Sequence, residues 1–338
     1  MQNRKIRWGL LGAGNILHRW MKGAAQAEDM EIVAVASRTP ERAQKMAETF
    51  GIPEAVSYEE MLAREDIDIV YIPVPHTAHK ELALGAMKTG KAVLVEKPAG
   101  INAGEFAEMA ACAKENHVFL MEAVWTRFFP IIEVLESYIG EDGIGEIRAI
   151  QSNFCSRDEY TKSGRLFDPW QAGGALLDLG VYNLHFVKML LKKNPVRLMG
   201  LASMDTDVLH IKVDEQEAYI AQYDRGELAM MCSAVRTAME DTAYIYGTKG
   251  YIVVPRFWKP TTLEIHLDDQ VKTEKREVPQ KIPGTEDEGF QYEIRHVNQC
   301  LREGRIESPV QTWQETMDIL GQCDQLRADW GLIYPQER

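Results

Sequence analysis

Short apolar runs alternate with helix-like patterns through the first third of the chain. Residues 6–11, 32–36, 67–72, 92–95 and 118–121 are largely apolar runs, as expected for strands buried on both faces. Between them, residues 16–27, 40–50, 77–89 and 102–116 read as helices. Thr39 before Pro40 is an N-cap followed by a first-turn proline, and Gly51 and Gly90 follow helix ends. Strand–helix alternation of this kind predicts a parallel, doubly wound sheet.

The pattern changes after residue 122. Residues 147–156 alternate as a strand, and 174–191 read as one long helix. Strand patterns follow at 196–203, 208–213, 217–223, 227–235, 242–247 and 251–254, with turns such as Asp224-Arg225-Gly226 between them. Successive strands joined by tight turns predict an antiparallel sheet. Helices at 287–303 and 312–330 close the chain. The predicted fold class is α/β: a Rossmann-type doubly wound parallel domain over 1–122, then an α+β domain over 123–338 with a large, mostly antiparallel open sheet. Strands 217–223 and 228–235 are apolar or aromatic on both faces. One face is predicted to pack on the long helix. The other, too apolar to leave in water, predicts a homodimer closed by a two-fold sheet contact.

Composition narrows the function classes. The 338 residues are 45% hydrophobic, enough for two cores. A formal charge of −13 and a pI near 5.2 argue against a nucleic-acid groove or an anionic membrane surface as partner. No apolar stretch approaches the ~18 residues of a membrane span. Cys112, Cys155, Cys232, Cys300 and Cys323 are odd in number, widely spaced and contain no Cys-x-x-Cys pair. With a polar start at residues 1–5 and no apolar signal core, they predict a cytoplasmic location.

Candidate chemistry gathers at the predicted carboxyl ends of the parallel strands, where open α/β sheets bind their ligands. Gly9-x-x-Gly12-x-Gly14-x-x-Leu17 follows the first strand and opens a helix. Glycines there permit a tight turn, and the helix N-terminus attracts a pyrophosphate, although Leu17 stands where a third glycine is usual. The second strand ends in Ala36-Ser37-Arg38-Thr39, without the acidic residue that an NAD-specific site uses on the ribose. The Ser37 hydroxyl and the guanidinium of Arg38, with Arg42 one turn on, suit a 2′-phosphate and favour NADP over NAD. Another such strand ends abruptly in Glu96-Lys97-Pro98. Lys97 would point into the nicotinamide crevice; the bland alternative is a surface lysine in a turn.

In the long helix, Asp178 and Tyr182 stand at i and i+4 and share a face. A tyrosine beside a lysine cation would titrate below its usual value of about 10 and could pass a proton to or from a carbinol oxygen. The alternative is a tyrosine packed in a core with its hydroxyl on Asp178. Trp125, Arg127 and Phe128 after the last parallel strand, with Trp170 before the glycine pair Gly173-Gly174, suit an apolar pocket with a polar handle, or ordinary core and capping roles. His76-x-x-His79 lacks the further ligands of a metal site at ordinary spacing, so no metal is predicted, and His79 reads as a helix-start residue near the cofactor. No Gly-x-Ser-x-Gly or Walker-type lysine motif is present, which argues against hydrolase and phosphotransferase chemistry.

Taken in order, Gly12-Ala13-Gly14-Asn15-Ile16, Pro75-His76-Thr77-Ala78-His79, Glu96-Lys97-Pro98 and the 173–182 segment resemble the glucose–fructose oxidoreductase/inositol dehydrogenase family (Gfo/Idh/MocA) over essentially the whole chain. The 122–130 segment and Tyr182 look most like its dimeric dihydrodiol dehydrogenase branch, which is similar to NADP-dependent D-xylose dehydrogenases and some deoxysugar or anhydrosugar reductases. The resemblance implies that Lys97 and Tyr182 are the catalytic pair, with Asp178 in support. It also implies a cis peptide before Pro98, and a cofactor site that includes Asn15, Ile16, Pro75, His76, His79 and Glu96. Many members carry Asp-x-x-x-His where this chain has Asp178 and Tyr182, which points away from the inositol dehydrogenases. The expected function is an NADP(H)-dependent oxidoreductase acting on a sugar, cyclic polyol or trans-dihydrodiol. The alternative is a regulatory protein that senses NADP on the same fold without turnover; retention of both Lys97 and Tyr182 speaks against it.

Overall fold

In the computed structural model, which describes residues 4–161, 164–204, 212–267, 270–276 and 289–338, all five apolar runs of the first third become strands of one sheet. The elements are β1 (Ile6–Leu11), α1 (Leu17–Ala24), β2 (Met30–Ala36), α2 (Pro40–Phe50), β3 (Glu54–Val56), α3 (Tyr58–Ala63), β4 (Ile69–Ile72), α4 (His79–Lys88), β5 (Ala92–Glu96), α5 (Ala103–Asn116) and β6 (Leu120–Ala123). The strands pair in parallel in the order β3-β2-β1-β4-β5-β6. This is the doubly wound order, with the crossover point between β1 and β4. Gly51 ends α2 at φ 66°, a left-handed conformation that glycine adopts without strain. The Asn102 side chain starts α5 by accepting the Glu105 N–H at 2.9 Å.

Two short elements lie outside the sequence expectation. β3 has three residues, and α3 has six, with a capping box in which Ser57 and Glu60 accept each other's main-chain N–H groups. Both are too short to show a hydrophobic period.

The remaining elements are α6 (Ile131–Ser137), β7 (Ile147–Cys155), α7 (Val181–Leu191), β8 (Arg197–Ser203), β9 (Gln216–Gln222), β10 (Leu228–Ala234), β11 (Thr242–Gly247), β12 (Gly250–Pro255), β13 (Thr262–Leu267), β14 (Gln270–Lys275), α8 (Phe290–Arg302) and α9 (Trp313–Trp330). The expected strand at 208–213 falls largely outside the described residues, as does the start of the helix expected from 287.

The chain divides into two units, Met1–Trp125 with Pro279–Met317 and Thr126–Val278 with Asp318–Arg338. The expected boundary at 122/123 therefore falls three residues later, and α8 belongs with the first unit instead of the second half. The reason is packing. The buried stripe of α8 carries Phe290, Ile294 and Val297, and a Cβ on Gly23 would lie 2.6 Å from that of Phe290, so glycine lets α1 and α8 approach. The Trp8 indole N–H donates to Asn298 Oδ1 at 3.0 Å, which gives a core tryptophan its partner.

The second unit is built on an eight-stranded sheet in the order β14-β13-β12-β11-β7-β10-β9-β8. Its pairs are antiparallel except β7 with β10. Along β9 burial alternates with the pleat: Tyr219 and Ala221 are buried, whereas Ile220 is half exposed. The buried face meets α7 and the turn before it. On the other face Met199, Leu201, Ile220, Leu228 and Met230 are exposed, the apolar open face that the strand patterns predict. The helix expected at 174–191 differs at its start, because Leu176–Gly180 is a turn of π-helix that leads into α7. Among the described residues no helix is long and apolar enough to cross a membrane.

Candidate functional site

In the first unit the sequence-predicted cofactor residues gather at the carboxyl ends of β1, β2, β4 and β5. Gly12 has φ 146°, and a Cβ there would stand 2.5 Å from Val74 Cγ1; one on Gly14 would stand 2.2 Å from the Pro73 oxygen. Both glycines therefore let the turn after β1 lie directly on the exit of β4. Leu17, in place of a third glycine, is fully buried and anchors α1 in the core. Ile16, the N-cap of α1, offers no side-chain oxygen to the helix start; the Leu17, His18 and Arg19 N–H groups donate instead to the Gly14, Asn15 and Ile16 oxygens at 3.1, 3.2 and 3.0 Å. At the end of β2, Ser37 Oγ accepts the Thr39 N–H at 3.2 Å, and Arg38 and Arg42 are exposed. Tyr58, which the sequence reading missed, sets its hydroxyl against the Arg38 main chain.

The segment around Lys97 is fixed from several sides. The peptide between Lys97 and Pro98 is cis, as the resemblance implies. The Lys97 N–H donates to Glu96 Oε2 at 3.2 Å, and the Tyr71 hydroxyl donates to Glu96 Oε1. Burial pushes the Glu96 carboxyl above the usual carboxylate range, opposed by Tyr71, Lys97 and Arg19. Just beyond, the Ala99 N–H donates to buried Glu122 Oε1 at 2.9 Å. Glu122 Oε2 in turn accepts from Thr316 Oγ1 at 2.9 Å and Gln311 Nε2 at 3.2 Å.

His79 is fully buried, with Nδ1 2.9 Å from the Pro98 oxygen and Nε2 2.8 Å from the Val74 oxygen. Its ring ties the loop after β4, which carries Pro75 and buried His76, to the Lys97-Pro98 segment. Burial lowers its pKa to about 4, opposed by the two carbonyls, which both favour the charged ring. Among the described residues no group of three or more His, Cys, Asp or Glu side chains is placed to hold a metal ion.

Trp125, expected in a pocket, is a core residue of this unit. It is buried, stacks on Phe290 at 4.2 Å and lies under the Arg19 guanidinium at 5.5 Å.

In the second unit every residue from 172 to 190 is buried except two, Asp178 and Tyr182. The helix keeps its whole circumference in the core, with Asn183, His185 and Lys188 buried beside its apolar residues, and leaves only Asp178 and Tyr182 partly accessible, on one face. Asp178 Oδ1 accepts from Arg165 at 3.0 Å. The Tyr182 ring meets Phe154 edge-on at 5.2 Å, and Phe154 stacks on Trp258 at 5.0 Å. Asp241 holds this wall by accepting the Trp258 indole N–H and the Cys155 N–H, each at 3.2 Å. Phe154 and Trp258 were missed from sequence; the dense cation–aromatic run Arg256-Phe257-Trp258-Lys259 was the available signal. Arg127 is buried, Phe128 half-buried, and Trp170, at 67% exposure, is the most open of the expected pocket residues.

Comparison with known proteins shows what the two units are similar to. Residues 6–124 match the family model of the oxidoreductase family with an NAD-binding Rossmann fold, and residues 132–253 match the GFO/IDH/MocA C-terminal domain. The chain is 34% identical over 343 residues to a trans-1,2-dihydrobenzene-1,2-diol dehydrogenase from Mus musculus, covering 98% of this chain and 99% of that one. The Sus scrofa protein of the same name is also 34% identical, with the same coverage. Among solved structures, a 3-ketoreductase from Actinomadura kijaniata in complex with NADP and TDP-benzene has a TM-score of 0.84 at 24% identity, covering 96% of this chain and 98% of that one. An aldose–aldose oxidoreductase from Caulobacter crescentus complexed with glycerol has a TM-score of 0.83 at 24% identity, covering 95% and 96%.

Proposed function

The chain belongs to the Gfo/Idh/MocA oxidoreductase family, and from that premise we propose that it is an NADP(H)-dependent dehydrogenase or reductase acting on a carbinol or carbonyl carbon of a sugar, cyclic polyol or trans-dihydrodiol. One observation carries the reading: a fully buried helix exposes only Asp178 and Tyr182. Burying so much helix in order to present one phenol and one carboxylate is how a rigid scaffold aims a proton-transfer group.

The residues of the first unit fit a dinucleotide. The glycine turn that leads into α1 suits a pyrophosphate, and exposed Arg38 and Arg42 suit a 2′-phosphate. Nicotinamide, when bound, supplies the hydride acceptor or donor. Tyr182 then gives or takes the hydroxyl proton of the reacting carbinol. Lys97 supplies the positive charge that favours the phenolate and orients the substrate oxygen. Asp178, held by Arg165, supports Tyr182, and Arg127, Phe128 and Trp170 belong to the substrate side of this reading. His79 acts from the core, as the tie between the two cofactor loops. The deciding experiment is a steady-state screen of NADP-linked turnover over trans-dihydrodiols, aldoses, inositols and deoxysugars; binding of NADPH without oxidation or reduction of any of them would overturn the reading.

NADP is preferred over NAD in this account. A charge-assisted hydrogen bond contributes ~1.5–3 kcal/mol, so Arg38→Ala is expected to weaken NADPH binding by roughly ten- to a hundredfold. NADH binding is expected to stay nearly constant. Fluorescence titration with both cofactors measures this, and equal weakening would show that Arg38 does not read the 2′-phosphate.

The same reading makes the protein a cytoplasmic homodimer; that all five cysteines are free thiols supports the compartment. The open sheet face exposes Leu201 at 82%, Met199 at 50% and Ile220 at 49%. Such a face suits a self-complementary two-fold contact. Sedimentation equilibrium at low micromolar concentration is expected to give about twice the 38.4 kDa chain mass, and Leu201→Glu to shift the population towards monomer. A monomeric wild type would remove this part of the proposal.

A further inference from the structure

The π-turn Leu176–Gly180 is held at both ends by side chains that enter with β9. At its start the Leu176 N–H donates to Asp214 Oδ2 at 2.6 Å, and the Ala175 N–H donates to the Asp214 main-chain oxygen at 2.8 Å. Gly174, at φ 119°, makes this possible, since a Cβ there would stand 2.0 Å from Asp214 Oδ1. At the other end the Tyr219 hydroxyl donates to the Gly180 oxygen at 3.1 Å. A Cβ on Gly180 would lie 3.1 Å from that hydroxyl and 3.2 Å from Glu217 Oε1. Asp214 and Glu217 are fully or almost fully buried.

A neutral Ser or Asn would cap a helix start as well as an aspartate does, without placing a carboxyl in a dry interior. We propose that Asp214 is a positioning residue: its ionised carboxylate fixes the π-turn, and through it the points where Asp178 and Tyr182 emerge. This rests on the reading of Tyr182 as the acid–base group. The charged and titratable groups that act on Asp214 are Glu217 from β9, Arg327 from α9, and Tyr334, whose hydroxyl donates to the Gly173 oxygen at 2.8 Å; Tyr219 and Cys323 stand one step further, Tyr219 beside Glu217 and Cys323 beside both tyrosines. Arg327 is itself shared with Glu337 and Asp324.

Burial raises the Asp214 carboxyl to about 7, against the Leu176 N–H and Arg327. Glu217 is raised as well, by burial and by Asp214. The sign follows from linkage. A carboxyl whose folded pKa lies above its ordinary 3.8 binds protons more tightly in the native state, so its share of stability falls as pH rises from about 4 to about 7. The ionised form is the less stable one, and it makes the stronger hydrogen bond to Leu176.

The test is the pH dependence of kcat in wild type, Asp214→Asn and Tyr219→Phe, on the best substrate of the screen. Wild-type kcat is expected to rise as pH passes through about 7. Asp214→Asn is expected to lose that limb and to fall about tenfold on the plateau, with NADPH affinity retained; a merely structural role would leave the profile in place. Tyr219→Phe is expected to lower kcat several-fold with the limb intact. A wild-type profile and plateau in Asp214→Asn would overturn the proposal. Should that variant fail to fold, unaltered kcat in Tyr219→Phe would overturn it instead. Loss of the limb in Asp214→Asn beside an active Tyr182→Phe would retire the Tyr182 reading and leave Asp214 acting through Asp178.

Discussion

Replacing Tyr182 by phenylalanine is expected to lower kcat by about 10²–10⁴, the usual worth of a general acid–base group. The substitution removes one oxygen and leaves the ring. The edge contact with Phe154 at 5.2 Å therefore survives, as does the all-buried helix beneath. NADPH binding is expected to be unchanged within about twofold, because the residues assigned to the cofactor lie in the other unit. KM for the carbinol substrate should move much less than kcat, since a proton is transferred only on the way to the transition state. Steady-state kinetics with a parallel NADPH titration decide it. Near-full turnover in Tyr182→Phe would show that the proton travels by another group.

Lys97→Met is expected to be at least as damaging, with kcat down by about 10² or more. Methionine keeps the length of the side chain and removes its charge. The main chain should not follow, because Glu96 Oε2 holds the Lys97 N–H at 3.2 Å and Glu122 holds the Ala99 N–H at 2.9 Å. On the proposed reading the expected loss is electrostatic, because the phenol would no longer have a cation to favour its ionised form. Such a variant should bind NADPH and refuse to reduce or oxidise the substrate. A second signature separates it from Tyr182→Phe, since raising the pH should restore part of the turnover of Lys97→Met by ionising the phenol directly. No recovery at high pH would argue that Lys97 positions the substrate and does not tune Tyr182.

The nucleotide-binding half was legible because its signals are local. A strand buried on both faces must be apolar, as β4 is throughout and β5 is up to Glu96, and a turn pressed against Pro73 must be glycine, as at Gly14. The pairing of Asp178 with Tyr182 was equally local, a matter of helical spacing. What the sequence hid depends on distant partners. The π-turn is imposed by Asp214 and Tyr219, more than thirty residues downstream. In sequence the three acids of Asp214-Glu215-Gln216-Glu217 resemble a solvated strand end; in the fold Asp214 and Glu217 face inward. The membership of α8 in the first unit depends on Trp8 finding Asn298, a contact 290 residues long in sequence.

That last contact bears on how the molecule can be dissected. The first unit is discontinuous, with the greater part of the second inserted into its sequence. A fragment ending at Trp125 would keep all six parallel strands yet strip the Trp8 indole of Asn298, expose the α1 surface that Gly23 opens to Phe290, and leave buried Glu122 without Gln311 and Thr316. A buried carboxylate that keeps the Ala99 N–H but loses these two donors weighs against folding by about 1–3 kcal/mol for each lost partner. No single scission can liberate a self-sufficient nucleotide-binding module; an excision would have to remove the insert and rejoin the flanking ends. Loss of the distal helix by premature termination is thus a lesion of the cofactor half, although it lies near the opposite terminus.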